Sequence, residues 1–350
     1  MRRLRLALVG FGHVGRRFAA LLLGPYGETL EAHGVRADVT GIMTARHGAA
    51  IDARGLPLSV CLARVLCGEE LGALHRGAPL GTPHEFIDRV PADILVELTP
   101  LDPRRGEPAT RHVRWALARG LDVVTANKGP VAFAHRALQK LAAHKGVFFR
   151  HEGAVMDGVP VFNLVERCLP GNRIDAFSGS LNSTTSHVLS RVAEGASRKV
   201  ALAEARAMGI AEADPTNDLE GWDSAVKGCA IANVLMGANV RPRDVRRRGV
   251  SGLSPATLRK DGRRGLQWRL VVRGKRVGKG VRVSVAPERI GPGDPLAGSG
   301  PDAALLLKTS LLGEIGILER GGTVDQTAYA ILSDIVAVLD SRAALPRSGR

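Results

Sequence analysis

Cysteine is scarce in this 350-residue chain: Cys61, Cys67, Cys168 and Cys229 are the only four, and no two stand in a C-x-x-C spacing. That excludes a disulfide framework and a cysteine zinc site, and leaves reduced thiols. Aromatic residues make up only 4%, too few for the base-stacking platforms of a single-strand nucleic-acid binder. No apolar run reaches the ~18–20 residues of a membrane span, so no membrane partner is expected. The start Met1-Arg2-Arg3, followed by the apolar residues 4–9, imitates a short signal peptide. Glycines at 10, 12 and 15 then break the run and no small-residue cleavage site follows, so it reads as a first β-strand of a cytoplasmic protein. Acidic residues are also in deficit, 34 against 49 Lys and Arg. Most of the excess sits in residues 241–282, where fifteen Arg and Lys face Asp244 and Asp261. Arginine far outnumbers lysine there, and with aromatics so few in the chain the segment reads as a solvated basic surface; the alternative is an anionic partner.

Hydrophobic residues make up 45% and charged residues 24%, ordinary values for a folded chain, and the length suggests two domains. Apolar runs at 4–9, 37–44, 92–98 and 121–126 read as strands, with helical patterns between them such as PATRHVRWALARG and VAFAHRALQKLAAHKG. This alternation through about residue 150 predicts an α/β, doubly wound parallel sheet with helices on both faces. From Val147 the pattern mixes strand-like pieces (VFFRHEGAV, IDAFSGSLN) with helical ones, and the runs GLQWRLVVRG and GVRVSVAP predict an exposed basic pair of strands. The expected organisation is one domain of residues 1–148 plus 319–340, an α+β domain of 149–318 that carries catalysis and dimerisation, and a disordered tail of 341–350.

Gly10-Phe11-Gly12-His13-Val14-Gly15 spells G-x-G-x-x-G directly after an apolar strand and before an apolar helix. In that context the first glycine makes a tight turn, the second admits a pyrophosphate and the third lets helix and strand pack closely. The helix N-terminus adds N–H groups and positive potential. A Rossmann-type dinucleotide site follows. The second strand ends Met43-Thr44-Ala45-Arg46-His47, without the carboxylate that would hold the ribose of NAD. Arg46 can pair with a 2′-phosphate, which favours NADP, with NAD as the alternative and a plain surface arginine as the other reading.

Residues 212–223 carry Glu212, Asp214, Asp218, Glu220 and Asp223. Such a stretch suits an amino-group pocket, or equally a loop of turn residues and helix caps. Asp223 and Lys227 are four apart at the start of an apolar helix and share one face. In a cleft, such a pair acts as an acid/base unit that protonates a developing alkoxide. Lys128 follows the strand 121–126, at the carboxyl end where an open α/β sheet presents its ligand crevice, and Thr99 ends the preceding strand.

The pieces GFGHVG, ELTP, TANKGP, HEGAVMDGVPV, GSLNSTTSHVL, GIAEADPTNDLEGWDSAVK and TAYAILSD together resemble homoserine dehydrogenase, in the family's order from residue 8 to about 336. The resemblance implies NAD(P)-dependent interconversion of L-homoserine and L-aspartate 4-semialdehyde, on the way to threonine, methionine and isoleucine, by a homodimer. It makes Lys227 the acid/base, with Asp223 beside it in substrate binding. Glu212 becomes the ligand of the substrate amino group and Lys128 the lysine near nicotinamide and substrate carboxylate. Gly209 and Gly322 would approach the cofactor. A monovalent cation, typically sodium, is implied at the domain junction on Glu152, Val155, Asp157 and Val159, a set suited to a hard ion of low charge; Glu152 as a simple turn cap is the alternative. Departures are Asn182-Ser183-Thr184 where the family has Asn-Gly-Thr, and Gly321-Gly322-Thr323 where it has Gly-Ala-Gly. No regulatory amino-acid-binding domain is expected after residue 340. Two rivals stand beside this reading: another NAD(P)-dependent amino-acid oxidoreductase, and an inactive cofactor-binding protein that uses its basic segment on nucleic acid.

Overall fold

The computed structural model describes residues 1–211, 214–298 and 300–344. Its first sheet runs in the order β3-β2-β1-β4-β5-β6. The strands are β1 (Arg2–Val9), β2 (Val35–Met43), β3 (Ala49–Ile51), β4 (Ile94–Glu97), β5 (Asp122–Thr125) and β6 (Phe149–Arg150). All neighbours are parallel except β2 and β3. The central strands read ALV, ILVE and DVVT and are buried throughout, as strands covered on both faces must be. The chain leaves β1 and β4 in opposite directions, which opens a crevice at their carboxyl ends.

The second sheet runs β12-β11-β7-β9-β10-β8, from β7 (Ile174–Ser180), β8 (Arg246–Arg247), β9 (Gln267–Val277), β10 (Gly280–Ile290), β11 (Ala303–Thr309) and β12 (Glu314–Glu319). Its pairs are antiparallel apart from β10 with β8. One face packs on the helices Ser183–Ala193 and Trp222–Leu235, burying Leu270, Val272, Val283 and Val285 in the larger core. The other face carries a small separate cluster of Val271, Ile290, Leu296, Ala304 and Leu306.

The last helix, Val324–Ala344, returns to the first sheet. Ala328, Ile331, Leu332, Ile335, Val338 and Leu339 join Leu6, Leu8 and Phe18 in one core, and Arg342 clamps the buried Asp122 through two contacts of 2.6 Å. Among the described residues no helix is long and apolar enough to cross a membrane.

Three expectations change. Phe149 and Arg150 belong to the edge of the first sheet, because Val123 and Val124 pair with them, so that sheet extends past residue 148. Residues 341–344 are helical and not tail, held by Arg342 and by the Ser341 hydroxyl donating to the Ala337 carbonyl; residues 345–350 lie outside the described residues. The basic strands do form a hairpin, β9–β10, but not every arginine in the segment is solvated. Arg269 is 1% exposed, donating to the Ser186 carbonyl at 3.1 Å and to Ser190 Oγ at 3.2 Å.

Candidate active site

The glycine loop meets its requirements one residue at a time. Gly10 has φ +102°, and a Cβ there would stand 2.6 Å from the Leu98 carbonyl. A Cβ on Gly15 would stand 2.7 Å from the Gly10 oxygen. Neither position tolerates a side chain, so the loop after β4 lies hard against the loop after β1. Gly12 is different: a Cβ would meet nothing within 4 Å, and the residue is exposed. The protein does not fill that space, which is the cradle a pyrophosphate needs at the N-terminus of helix His13–Leu22. Phe11 is buried, whereas His13 and Val14 begin the helix. Gly10 N–H donates to the Met43 carbonyl at 2.8 Å, which ties the loop to the end of β2. Arg46 stands exposed in the turn that follows β2.

Beside the loop is a cavity of about 340 Å³ walled by Val14, Thr99, Asn127, Lys128, Lys227 and Thr327, among others. Lys128 opens the helix Lys128–Lys145, which Asn127 caps by accepting Gly129 N–H at 2.8 Å. Lys227 lies one turn into the helix Trp222–Leu235. Between the two ammonium groups sits the Asp223 carboxylate, 3.1 Å from Lys128 Nζ and 3.3 Å from Lys227 Nζ. Lys227 Nζ also donates to the Leu181 carbonyl. The Asn182 amide donates to Asp223 at 3.0 Å and to Asp218 at 2.7 Å.

Burial alone would raise the Asp223 carboxyl, but Lys128 and Lys227 outweigh it and hold the group well below the usual carboxylate range. Burial likewise works against the Lys128 ammonium, yet Asp223, with Asp157 and Asp218 farther off, keeps the amine above its ordinary value. Asp218 goes the other way, pushed up to about 6 by burial and then by the charge on Asp223. The site therefore holds one firmly ionised carboxylate between two lysines, with a second carboxyl poised near neutrality. That arrangement can bind an ammonium and move a proton at an oxygen beside Lys227.

A family model for homoserine dehydrogenase matches residues 160–336. The chain is 36% identical to an NAD(+)-dependent homoserine dehydrogenase of Pseudomonas canavaninivorans over 97% of both chains. It is 35% identical to the homoserine dehydrogenase of Methanocaldococcus jannaschii, over 96% of this chain and 98% of that one. The chain belongs to the homoserine dehydrogenase family. Its fold superposes on a hyperthermophilic archaeal homoserine dehydrogenase in complex with NADPH with a TM-score of 0.81 at 26% identity, covering 98% of this chain and 99% of the other. Neither rival reading is favoured by these matches. NAD(P)-dependent oxidoreductase chemistry is the common property of the homoserine dehydrogenases it resembles, and the open cradle at Gly12 fits such a cofactor.

Other residues expected in the homoserine dehydrogenase site fall out as follows. Glu212 lies outside the described residues. Gly209 has φ +74° and ends the turn after helix Arg198–Ala207; the next residue, Ile210, is held by Thr184, whose hydroxyl donates to its carbonyl at 2.6 Å. Gly322 faces carboxylates: a Cβ there would stand 2.8 Å from Asp157 and 3.4 Å from Glu319. At the junction, Glu152 is 2% exposed and its two oxygens accept Phe162 N–H at 2.8 Å and Asn163 N–H at 2.7 Å. Its own N–H donates to Asp334 at 2.8 Å, a carboxyl that burial pushes up to about 8. Glu152 therefore does cap a turn. Val155 and Asp157 line the cavity, and the Val159 carbonyl accepts Val161 N–H at 2.8 Å.

Sequence reasoning missed Asn182 as a site residue and gave Asp218 no role of its own. Nor did it anticipate the contacts of Trp222, whose indole takes two guanidinium groups, Arg104 at 4.6 Å and Arg247 at 3.9 Å from the ring centre. Asn182 sat in a quoted motif, and its capping signal before a Thr-rich helix start was the available clue.

Proposed function

We propose that the chain interconverts L-homoserine and L-aspartate 4-semialdehyde with a nicotinamide dinucleotide, and that NADP is preferred. The observation that carries the reading is the Asp223 carboxylate fixed between Lys227 and Lys128 on the wall of the crevice beside the glycine loop. When bound, the dinucleotide supplies the hydride acceptor or donor for the carbon that bears the oxygen. Lys227 works at that oxygen: its ammonium protonates the alkoxide as the aldehyde is reduced, and its amine takes the proton back in the reverse direction. Asp223 orients Lys227 and, with Glu212, receives the substrate ammonium. Lys128 holds the substrate carboxylate.

The glycine loop (Gly10, Phe11, Gly12, His13, Val14, Gly15), Thr99, Lys128, Gly209 and Gly322 form the cofactor wall in this reading. Arg46 supports NADP because it is exposed beside the glycine loop and the end of β2 offers no carboxylate. A monovalent cation on Glu152, Val155, Asp157 and Val159 would be structural, since Glu152 already organises the turn at Phe162. Homodimerisation is supported by the second sheet, whose face away from the helices Ser183–Ala193 and Trp222–Leu235 carries a separate apolar cluster and whose edge strand β12 exposes Leu318. Four free thiols suit a reducing cytoplasm.

The test is homoserine-dependent formation of reduced nicotinamide by the purified protein, with NADP and NAD compared and the product identified as the semialdehyde. Turnover with homoserine and none with other hydroxy amino acids is expected. Tight cofactor binding without homoserine turnover refutes the reading.

A further inference from the structure

Glu97 closes β4, and its side chain is fully buried at the end of an otherwise apolar strand. Among the described residues no lysine or arginine pairs with it, so its hydrogen bonds must justify a buried carboxylate. Oε1 accepts the Thr99 N–H at 3.1 Å and also the Thr99 hydroxyl. The Thr125 hydroxyl is shared between Oε2 at 3.2 Å and the Glu97 carbonyl at 2.9 Å. His112 Nδ1 lies 3.6 Å from Oε1 and makes no hydrogen bond. Every partner is a donor, a set that only an acceptor can satisfy.

The two threonines stand at the two segments that wall the crevice: Thr99 in the loop after β4, and Thr125 as the last residue of β5, where the second loop begins. Thr99 lines it directly. Thr125 Oγ1 in turn accepts the Asn127 N–H at 3.0 Å. The Asn127 amide donates to the Thr99 carbonyl at 2.7 Å, and its oxygen caps the helix that Lys128 opens. Lys128 then reaches Asp223. One carboxylate thus anchors both loops, and the second loop ends on the acid/base cluster.

We propose that Glu97 is a positioning residue for the reaction: its buried carboxylate pins Thr99 against the cofactor side of the crevice and, through Thr125 and Asn127, sets Lys128 against Asp223. This rests on the homoserine dehydrogenase reading of the crevice. Glutamine has the same size but turns one acceptor into a donor, which meets donors already in place.

The test compares the wild-type chain with Glu97→Gln, Thr99→Val and Thr125→Val by NADPH fluorescence titration, homoserine saturation kinetics and thermal melting. In Glu97→Gln both the NADPH Kd and the homoserine KM should rise by about tenfold or more. Thr99→Val should reproduce mainly the rise in Kd, and Thr125→Val mainly the rise in KM. A merely structural role would lower the melting temperature and leave both constants at wild-type values, and that result overturns the proposal. Should Glu97→Gln fail to fold, the threonine variants carry the test, and wild-type constants in both overturn it. Loss of NADPH affinity in the variants of a chain inert to homoserine refutes the substrate reading while supporting the role of Glu97.

Discussion

Replacing Asp223 with asparagine removes a charge and almost no volume, so its effects report on the charge. The carboxylate lies 3.1 Å from Lys128 and 3.3 Å from Lys227. At an effective dielectric of about 20, each contact amounts to about 5 kcal/mol before desolvation. The Asp223 side chain is only 13% exposed, so removing its charge also relieves a large desolvation cost. The net loss then falls to about 3–5 kcal/mol, the range found when one partner of a buried ion pair is removed. Asp218 softens it further, because its carboxyl is held up partly by Asp223 and ionises more fully once that charge is gone. The lower end, about 3 kcal/mol, is therefore expected, a fall in Tm of roughly 4 °C. Lys227 loses the group that orients it, so kcat/KM for homoserine should drop by ~10²–10⁴. The assay pairs thermal melting with initial rates of nicotinamide reduction, both near neutral pH. A variant that melts within about 1 °C of wild type and keeps more than roughly a tenth of kcat/KM would show that the two ammonium groups do not depend on this carboxylate, and the account of the site would be wrong.

Lys227→Met should cut kcat by ~10²–10⁴ while NADPH titration gives a Kd within about threefold of wild type; a large change in Kd would move Lys227 from acid/base to cofactor ligand. Arg46→Ala should raise the KM for NADP by about tenfold and leave NAD kinetics unchanged, and equal effects on the two cofactors would remove Arg46 from the 2′-phosphate. Asp218 has a folded-state pKa of about 6 against an ordinary 3.8, so between those values the native chain keeps a proton that the unfolded chain has released. Its contribution therefore makes stability fall as pH rises from about 4 to about 6, by ~3 kcal/mol in total. Asp218→Asn should flatten that limb of the Tm–pH profile, and an unaltered slope contradicts the assignment.

The parts of the site legible in the sequence are those fixed by local geometry. The glycine loop follows from close approaches within a few residues, and Asp223 with Lys227 from one turn of helix. Contacts between distant segments carry no spacing signal, so the meeting of Lys128 with Asp223, and of Asn182 with both carboxyls, was out of reach. The acidic stretch shows why its two readings could not be separated. Asp218 and Asp223 converge on Asn182 in the site. Asp214, in contrast, closes its own turn by accepting Thr216 N–H at 3.0 Å, and Glu220 accepts the Ser251 hydroxyl. Pocket and turn are both present, divided among neighbours. The basic segment divides in the same way: Arg273 pairs across the hairpin with Glu288 at 2.6 Å, whereas Arg247 stacks on Trp222 and Arg269 is internal. A net charge cannot distinguish these fates, because each depends on which acceptor or ring the fold brings near.

The return of the last helix to the first sheet also sets an order of assembly on the ribosome. The core that backs β1 and the helix His13–Leu22 takes its last six buried side chains from residues 328–339, and Arg17 finds its partner Asp325, 2.7 Å away, on the same helix. Those residues emerge after the whole second sheet. At ~5–20 residues per second, the roughly 170 residues between β6 and that helix take about 9–35 s to synthesise. For that interval the nascent first sheet has its strands and its glycine loop but an open apolar flank. The cofactor crevice is thus among the first parts of the molecule to be made and among the last to be sealed, and the second sheet has time to form before the first can close.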